Sequence, residues 1–219
     1  MTAQQLTDGL IWYLGLVILI TFHEFGHAWM AWKCGDDTPY LQGRVTINPL
    51  AHIDPIGTVL MPVLMIIFAS SGSFLSGFII GWGKPVMVNV NNLRNRNRDD
   101  VLVTAAGPWM NLVLAIVLVG IAKLGIIFHS ADVVEVSLKT ADLSMLLFFF
   151  NLLPIPPLDG SRIARVIVGM SYETYFHFSR YGVLILLLVL NSVPAVREAI
   201  SSLADGSLRI IAGWFGMPV

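Results

Sequence analysis

The stretch Thr21-Phe22-His23-Glu24-Phe25-Gly26-His27 sets two histidines four residues apart, with an acid beside the first, inside an apolar segment. Residues 9–32 read GLIWYLGLVILITFHEFGHAWMAW, and no Lys or Arg precedes Lys33. About twenty apolar residues cross a bilayer as a helix, so this segment is predicted to span. Helix positions i and i+4 share a face, so His23 and His27 point the same way. Two imidazoles so presented can hold one Zn²⁺, and Glu24 stands where it can take a proton from water activated by that metal. A lone His-Glu-x-x-His on a soluble surface is often chance, and a lone His in a transmembrane helix is commonly a packed, hydrogen-bonded residue. Neither alternative suits three ionisable side chains at membrane depth, where each is costly unless paired. The pattern predicts a metal site.

Composition agrees with a membrane class. Of the 219 residues 56% are hydrophobic and only 12% charged, whereas soluble domains carry roughly a quarter charged residues. Mean hydropathy is +0.75. The expectation is an all-α membrane protein of one domain, 1–219: a polytopic helical bundle with a catalytic core over about 9–168 and accessory helices over about 172–219. The formal net charge of −1 gives no reason to expect nucleic acid as a partner. Cys34 is the only cysteine, which excludes an internal disulfide and a Cys-based zinc cage. The first segment lacks a basic n-region and carries the motif, so it is not expected to be a cleaved signal peptide.

Further spans are predicted at 101–128, at 133–153, and at 181–193 extended backward through 172–178. Residues 197–215 mix Ile200, Leu203, Leu208, Ile211 and Phe215 with Arg197, Glu198, Asp205 and Arg209, which reads as an interfacial amphipathic helix. Residues 56–82 are apolar but interrupted by Pro62 and Ser70-Ser71-Gly72-Ser73, so they form either a kinked span or a re-entrant hairpin. Lys33, Arg44, Lys84, Arg94, Arg96 and Arg98 all lie between the first span and residue 101. A hairpin keeps them on one side and is the favoured reading. The positive-inside rule then puts 33–100 in the cytoplasm and the N-terminus outside, in the cell (inner) membrane of a prokaryote. Residues 43–48 and 84–91 alternate apolar and polar, which predicts short β segments; valine-rich loops are the alternative.

A catalytic zinc takes about three protein ligands and keeps one position open. Asp159 is the best third candidate, because Asn151-Leu152-Leu153-Pro154-Ile155-Pro156-Pro157-Leu158-Asp159-Gly160 follows an apolar helix with a segment that cannot stay helical. Non-helical backbone at membrane depth is tolerated only where it lines protein or a wet cavity, and hydrolysis needs water. Asp159 as the N-cap of a following helix, 160–168, is the alternative.

These motifs, with Gly107-Pro108-Trp109-Met110-Asn111 and Gly81-Trp82-Gly83-Lys84-Pro85-Val86, resemble the site-2 proteases, intramembrane zinc metalloproteases. The resemblance covers about residues 9–168. It implies Zn²⁺ ligands at His23, His27 and Asp159, a general base at Glu24, and substrate or oxyanion positioning by Asn151 and Asn111. It also implies that residues 86–91 align an unwound substrate. No region is long enough for an inserted PDZ domain, and nothing after Asp159 resembles a CBS pair. The implied partner is a membrane-anchored protein substrate in the lipid bilayer. The competing class is a membrane metal-ion carrier or channel using the same His/Asp site, although neither repeated halves nor a line of polar sites is present. A catalytically dead scaffold is disfavoured because all four key residues are present.

Overall fold

The computed structural model describes residues 3–64 and 81–217. In chain order its helices are α1 (Ala3–Lys33), α2 (Thr38–Leu41), α3 (Arg96–Ile127), α4 (Ala131–Asn151), α5 (Asp159–Ile167), α6 (Tyr172–Ser179), α7 (Gly182–Ser192) and α8 (Pro194–Trp214). Between α2 and α3 lie a 3₁₀ turn, Pro49–Ala51, and a π-helical turn, Pro55–Leu60. Two of these helices, α1 and α3, are long and apolar enough to cross a membrane; α6 and α7 together make a third candidate, bent by 57°. Helix α4 forms over the expected residues and has the length of a span, but Asp132, Glu135, Lys139 and Asp142 make its first half polar.

Helix α1 runs 31 residues without a proline and stops where Gly35 takes φ +106°. The Asp36 N–H then reaches back to the Ala31 carbonyl at 3.0 Å, a Schellman-type closure that glycine makes without strain. Helices α1 and α3 pack directly. A Cβ on Gly26 would lie 2.6 Å from the Ala106 carbonyl oxygen and 2.8 Å from Met110 Cγ, so the crossing needs a glycine there. Small residues at such crossings let helices gain close van der Waals packing where lipid removes the hydrophobic drive.

A second core joins Ala115, Val119 and Ala122 of α3 to Ala141 and Met145 of α4 and to Ala204, Ile211 and Ala212 of α8. Helix α8 was expected to lie along the interface. Its alanines let it pack against α3 and α4, while Leu203, Ile210 and Trp214 stay exposed.

The expected β segments do not form: no strand occurs among the described residues. Residues 43–48 turn into the 3₁₀ turn, which Asn48 caps by accepting from the Leu50 N–H at 3.1 Å. Residues 84–91 are largely irregular, and their backbone bonds run to loop carbonyls and to side chains rather than to a second strand. The expected re-entrant turn within 56–82 falls mostly on residues 65–80, outside the described residues.

Candidate metal centre

His23 and His27 stand one turn apart on α1 and aim at the N-terminus of α5. Their Nε2 atoms are 3.1 Å apart, and Asp159 Oδ2 lies 3.2 Å from the first and 3.3 Å from the second. Ligands about 2.0–2.1 Å from a tetrahedral zinc stand roughly 3.3 Å from one another. The spacing of the three atoms therefore fits three corners of such a site, and all three residues are buried or nearly so. Beyond the two imidazole nitrogens, Asp159 Oδ2 is buried without a hydrogen-bond partner, which fits a metal-ligating role. The capping alternative for Asp159 is not what forms. Leu158 holds the N-cap position, Asp159 opens α5, and its carboxylate turns to the imidazoles.

The imidazoles are oriented from behind. The His27 Nδ1–H donates to the Val103 carbonyl at 2.8 Å, which leaves Nε2 unprotonated for a metal. His23 Nδ1 meets the Asn111 amide, with Nδ2 at 3.3 Å and Oδ1 buried and unpartnered. Turning that amide over lets Oδ1 accept from Nδ1–H and frees His23 Nε2 as well. Asn111 thus sits behind His23, and its backbone carbonyl accepts from Ser144 Oγ at 2.7 Å.

Gly107 does what no spacing rule foretold. A Cβ there would lie 2.3 Å from His27 Nε2 and 2.8 Å from His23 Nε2. Its signal lay in the Gly-Pro-Trp-Met-Asn run, whose role was not legible without knowing which helix faces it.

Glu24 turns toward residues 81–92, an irregular segment that runs along the site as a strap. Its Oε2 accepts from the Val86 N–H at 3.1 Å. Both belong to a cavity of about 500 Å³ that also reaches Ile20, Trp82, Phe150, Asn151 and Leu186, together with the three candidate ligands. Asn151 lines this cavity, although its Nδ2 donates back to the Leu147 carbonyl at 2.9 Å.

Helix α5, which carries Asp159, is held by a buried acid that sequence reasoning missed. Asp100 Oδ1 accepts from Arg162 at 2.9 Å, and Oδ2 accepts from Arg165 at 2.9 Å and Tyr172 Oη at 2.8 Å. The Arg165 guanidinium also stacks 3.8 Å over the Tyr172 ring. On the other side of the loop, a Cβ on Gly160 would lie 2.1 Å from the Leu152 carbonyl oxygen, so the Pro-rich turn closes tightly on α5.

The arrangement is that of a membrane-embedded metallopeptidase. The model of peptidase family M50 matches residues 118–190, a stretch that includes Asp159. Two similar relatives carry the name "Putative zinc metalloprotease". YwhC of Bacillus subtilis (strain 168) is 36% identical over 184 residues, 80% of this chain and 77% of that protein. Rip2 of Mycolicibacterium smegmatis is 34% identical over 161 residues, 68% of this chain and 56% of that protein. No solved structure gives a significant match. The chain belongs to peptidase family M50, the site-2 proteases, and is an intramembrane zinc metalloprotease. Nothing in these likenesses favours a metal carrier.

Proposed function

We propose that this enzyme cleaves membrane-anchored proteins in or beside their transmembrane segment, with Zn²⁺ held by His23, His27 and Asp159 and with Glu24 as general base. The observation that carries this reading is the triangle of Nε2, Nε2 and Oδ2 atoms at 3.1–3.3 Å beside an acid in one cavity. Held by these three residues, a zinc ion would supply Lewis acidity for the scissile carbonyl and for water. Glu24, steadied through Oε2 by the Val86 N–H, takes the proton of the attacking water and returns it to the departing amine. Asn151 on the cavity wall positions the substrate, and Asn111 acts on His23 instead. An unwound substrate lies along residues 86–91, of which Val86 and Val88 line the cavity. The Lys and Arg residues from Lys33 to Arg98 favour a cytoplasmic position for that region, with the N-terminus outside.

Glu24→Gln tests the chemistry, since it removes the base while keeping size and helix propensity. Zinc content should stay at the wild-type level. Cleavage of a membrane-anchored substrate in liposomes should fall by the roughly 10²–10⁴-fold typical of a lost general base. A mutant that cleaves at the wild-type rate with full zinc removes Glu24 from the mechanism.

A further inference from the structure

Arg44 is a cation at only 4% exposure, and no carboxylate lies within ion-pair distance of it among the described residues. Burying a charge is expensive unless its donors are satisfied. Arg44 satisfies them on two carbonyls, Ala51 in the 3₁₀ turn and Lys84 in the strap, from segments far apart in sequence. The acid whose charge reaches it is Glu24, which opposes the fall from its ordinary pKa that burial causes.

The Lys84 bond is one of four that fasten the start of the strap. The Lys84 N–H donates to the His52 carbonyl at 2.8 Å, the Trp82 N–H to the Gly57 carbonyl at 3.2 Å, and Thr58 Oγ1 to the Trp82 carbonyl at 2.7 Å. At its far end the Asn89 N–H donates to Asp36 Oδ2 at 2.7 Å, and Asn92 Nδ2 to Asp36 Oδ1 at 3.0 Å. Between these clamps lie Pro85, Val86 and Val88, all on the cavity wall, and the Val86 N–H that touches Glu24. A role confined to closing the 44–52 loop would need only the Ala51 carbonyl. The second carbonyl lies two residues before Val86.

We propose that Arg44 is a positioning residue of the peptidase: by holding the Lys84 carbonyl it keeps the Val86 N–H on Glu24 Oε2 and the 85–88 wall in place for substrate. The inference rests on the assignment of Glu24 as base. An arginine suits the task because its planar fork reaches two acceptors at once, which a lysine ammonium does not do in a fixed geometry.

The test compares the full zinc-loaded chain with Arg44→Gln, Arg44→Lys, Thr58→Val and Glu24→Gln on one membrane-anchored substrate. Zinc content, kcat and KM are measured separately, along with amide exchange of residues 84–92. Arg44→Gln should keep its zinc, expose the Val86 amide to faster exchange, and lose roughly 10²-fold in kcat, the scale of a 1 Å misplacement at a reacting centre. Arg44→Lys should recover part of that loss. Thr58→Val loosens the same clamp more gently and should shift exchange and kcat in the same direction, even if Arg44→Gln fails to fold. Wild-type kcat with unchanged Val86 exchange in Arg44→Gln and Thr58→Val overturns the proposal. So does zinc loss in step with activity, which marks a general folding role. If Glu24→Gln cleaves normally, the assignment of the base fails instead, and Val86 exchange still decides whether Arg44 holds the strap.

Discussion

Gly107 and Asp159 both bear on the proposed ligand set, in different ways. Asp159 would supply one of its atoms, and Gly107 leaves the room in which the two imidazoles stand, with a would-be Cβ 2.3 Å from His27 Nε2. Asp159→Ala should cost the enzyme its zinc by elemental analysis while helix content in circular dichroism holds; full zinc in that variant removes Asp159 from the ligand set. Gly107→Ala should act through geometry alone. Alanine favours the helix by about 1 kcal/mol over glycine, so a purely local view expects stabilisation. The imidazoles must move, and we expect at least a tenfold rise in the chelator sensitivity of bound zinc. Unchanged sensitivity would mean that α1 and α3 can part without disturbing the histidines.

At the scale of elements, the site is a meeting of helix ends and loops that are pinned by buried polar groups. Helix α5 is pinned by Asp100, which bonds Arg162, Arg165 and Tyr172. Asp100→Asn leaves Arg165 buried beside a neutral amide, and breaking a buried pair from one side costs about 3–5 kcal/mol. Lower thermal stability in detergent should therefore come with weaker zinc retention, because Asp159 opens that helix. Stability loss with zinc affinity untouched would assign the placing of Asp159 to the Pro-rich turn instead. The strap has its own acid, Asp36. Burial works to raise its pKa, but bonds from the Thr38 hydroxyl, the Asn89 N–H, the Asn92 amide and the Thr38 N–H outweigh it and hold the pKa below the usual value. A carboxyl depressed in the folded state adds stability above its unfolded pKa, about 4, and loses it as pH falls through the folded value. Protection of the 89–92 amides should thus be level from about pH 5 to 8 and decline only below about 4. A decline already near pH 6 would point to another group.

Across the whole molecule, the cavity sits where α1, the strap, the end of α4 and the starts of α5 and α7 converge, so the site exists only when distant segments are assembled. Membrane sidedness is tested on the same scale. With Cys34 replaced, single cysteines at Leu41, 80% exposed, and at Asn97, also exposed, flank 56–82 on either side. Both should react with an impermeant reagent from the cytoplasmic face. Labelling from opposite faces would overturn the placing of 33–100 on one side, and labelling of both from outside would invert the orientation.

The membrane class, α1 and α3, the shared face of His23 and His27, and the helix break before Asp159 were legible in the sequence, because each is written in local spacing. A 3.6-residue turn aligns His23 with His27, apolar length decides a span, and three prolines break a helix wherever they sit. The rest depends on contacts between residues far apart in the chain. That Asn111 orients His23, that Gly107 must lack a side chain, that Asp100 anchors α5, and that Arg44 grips the strap all follow from which surfaces meet. The missing β segments teach the same lesson: alternation in 84–91 shows that a chain can extend, but a strand needs a partner ladder. Here side chains and loop carbonyls took the backbone bonds instead, and only the tertiary structure decides that competition.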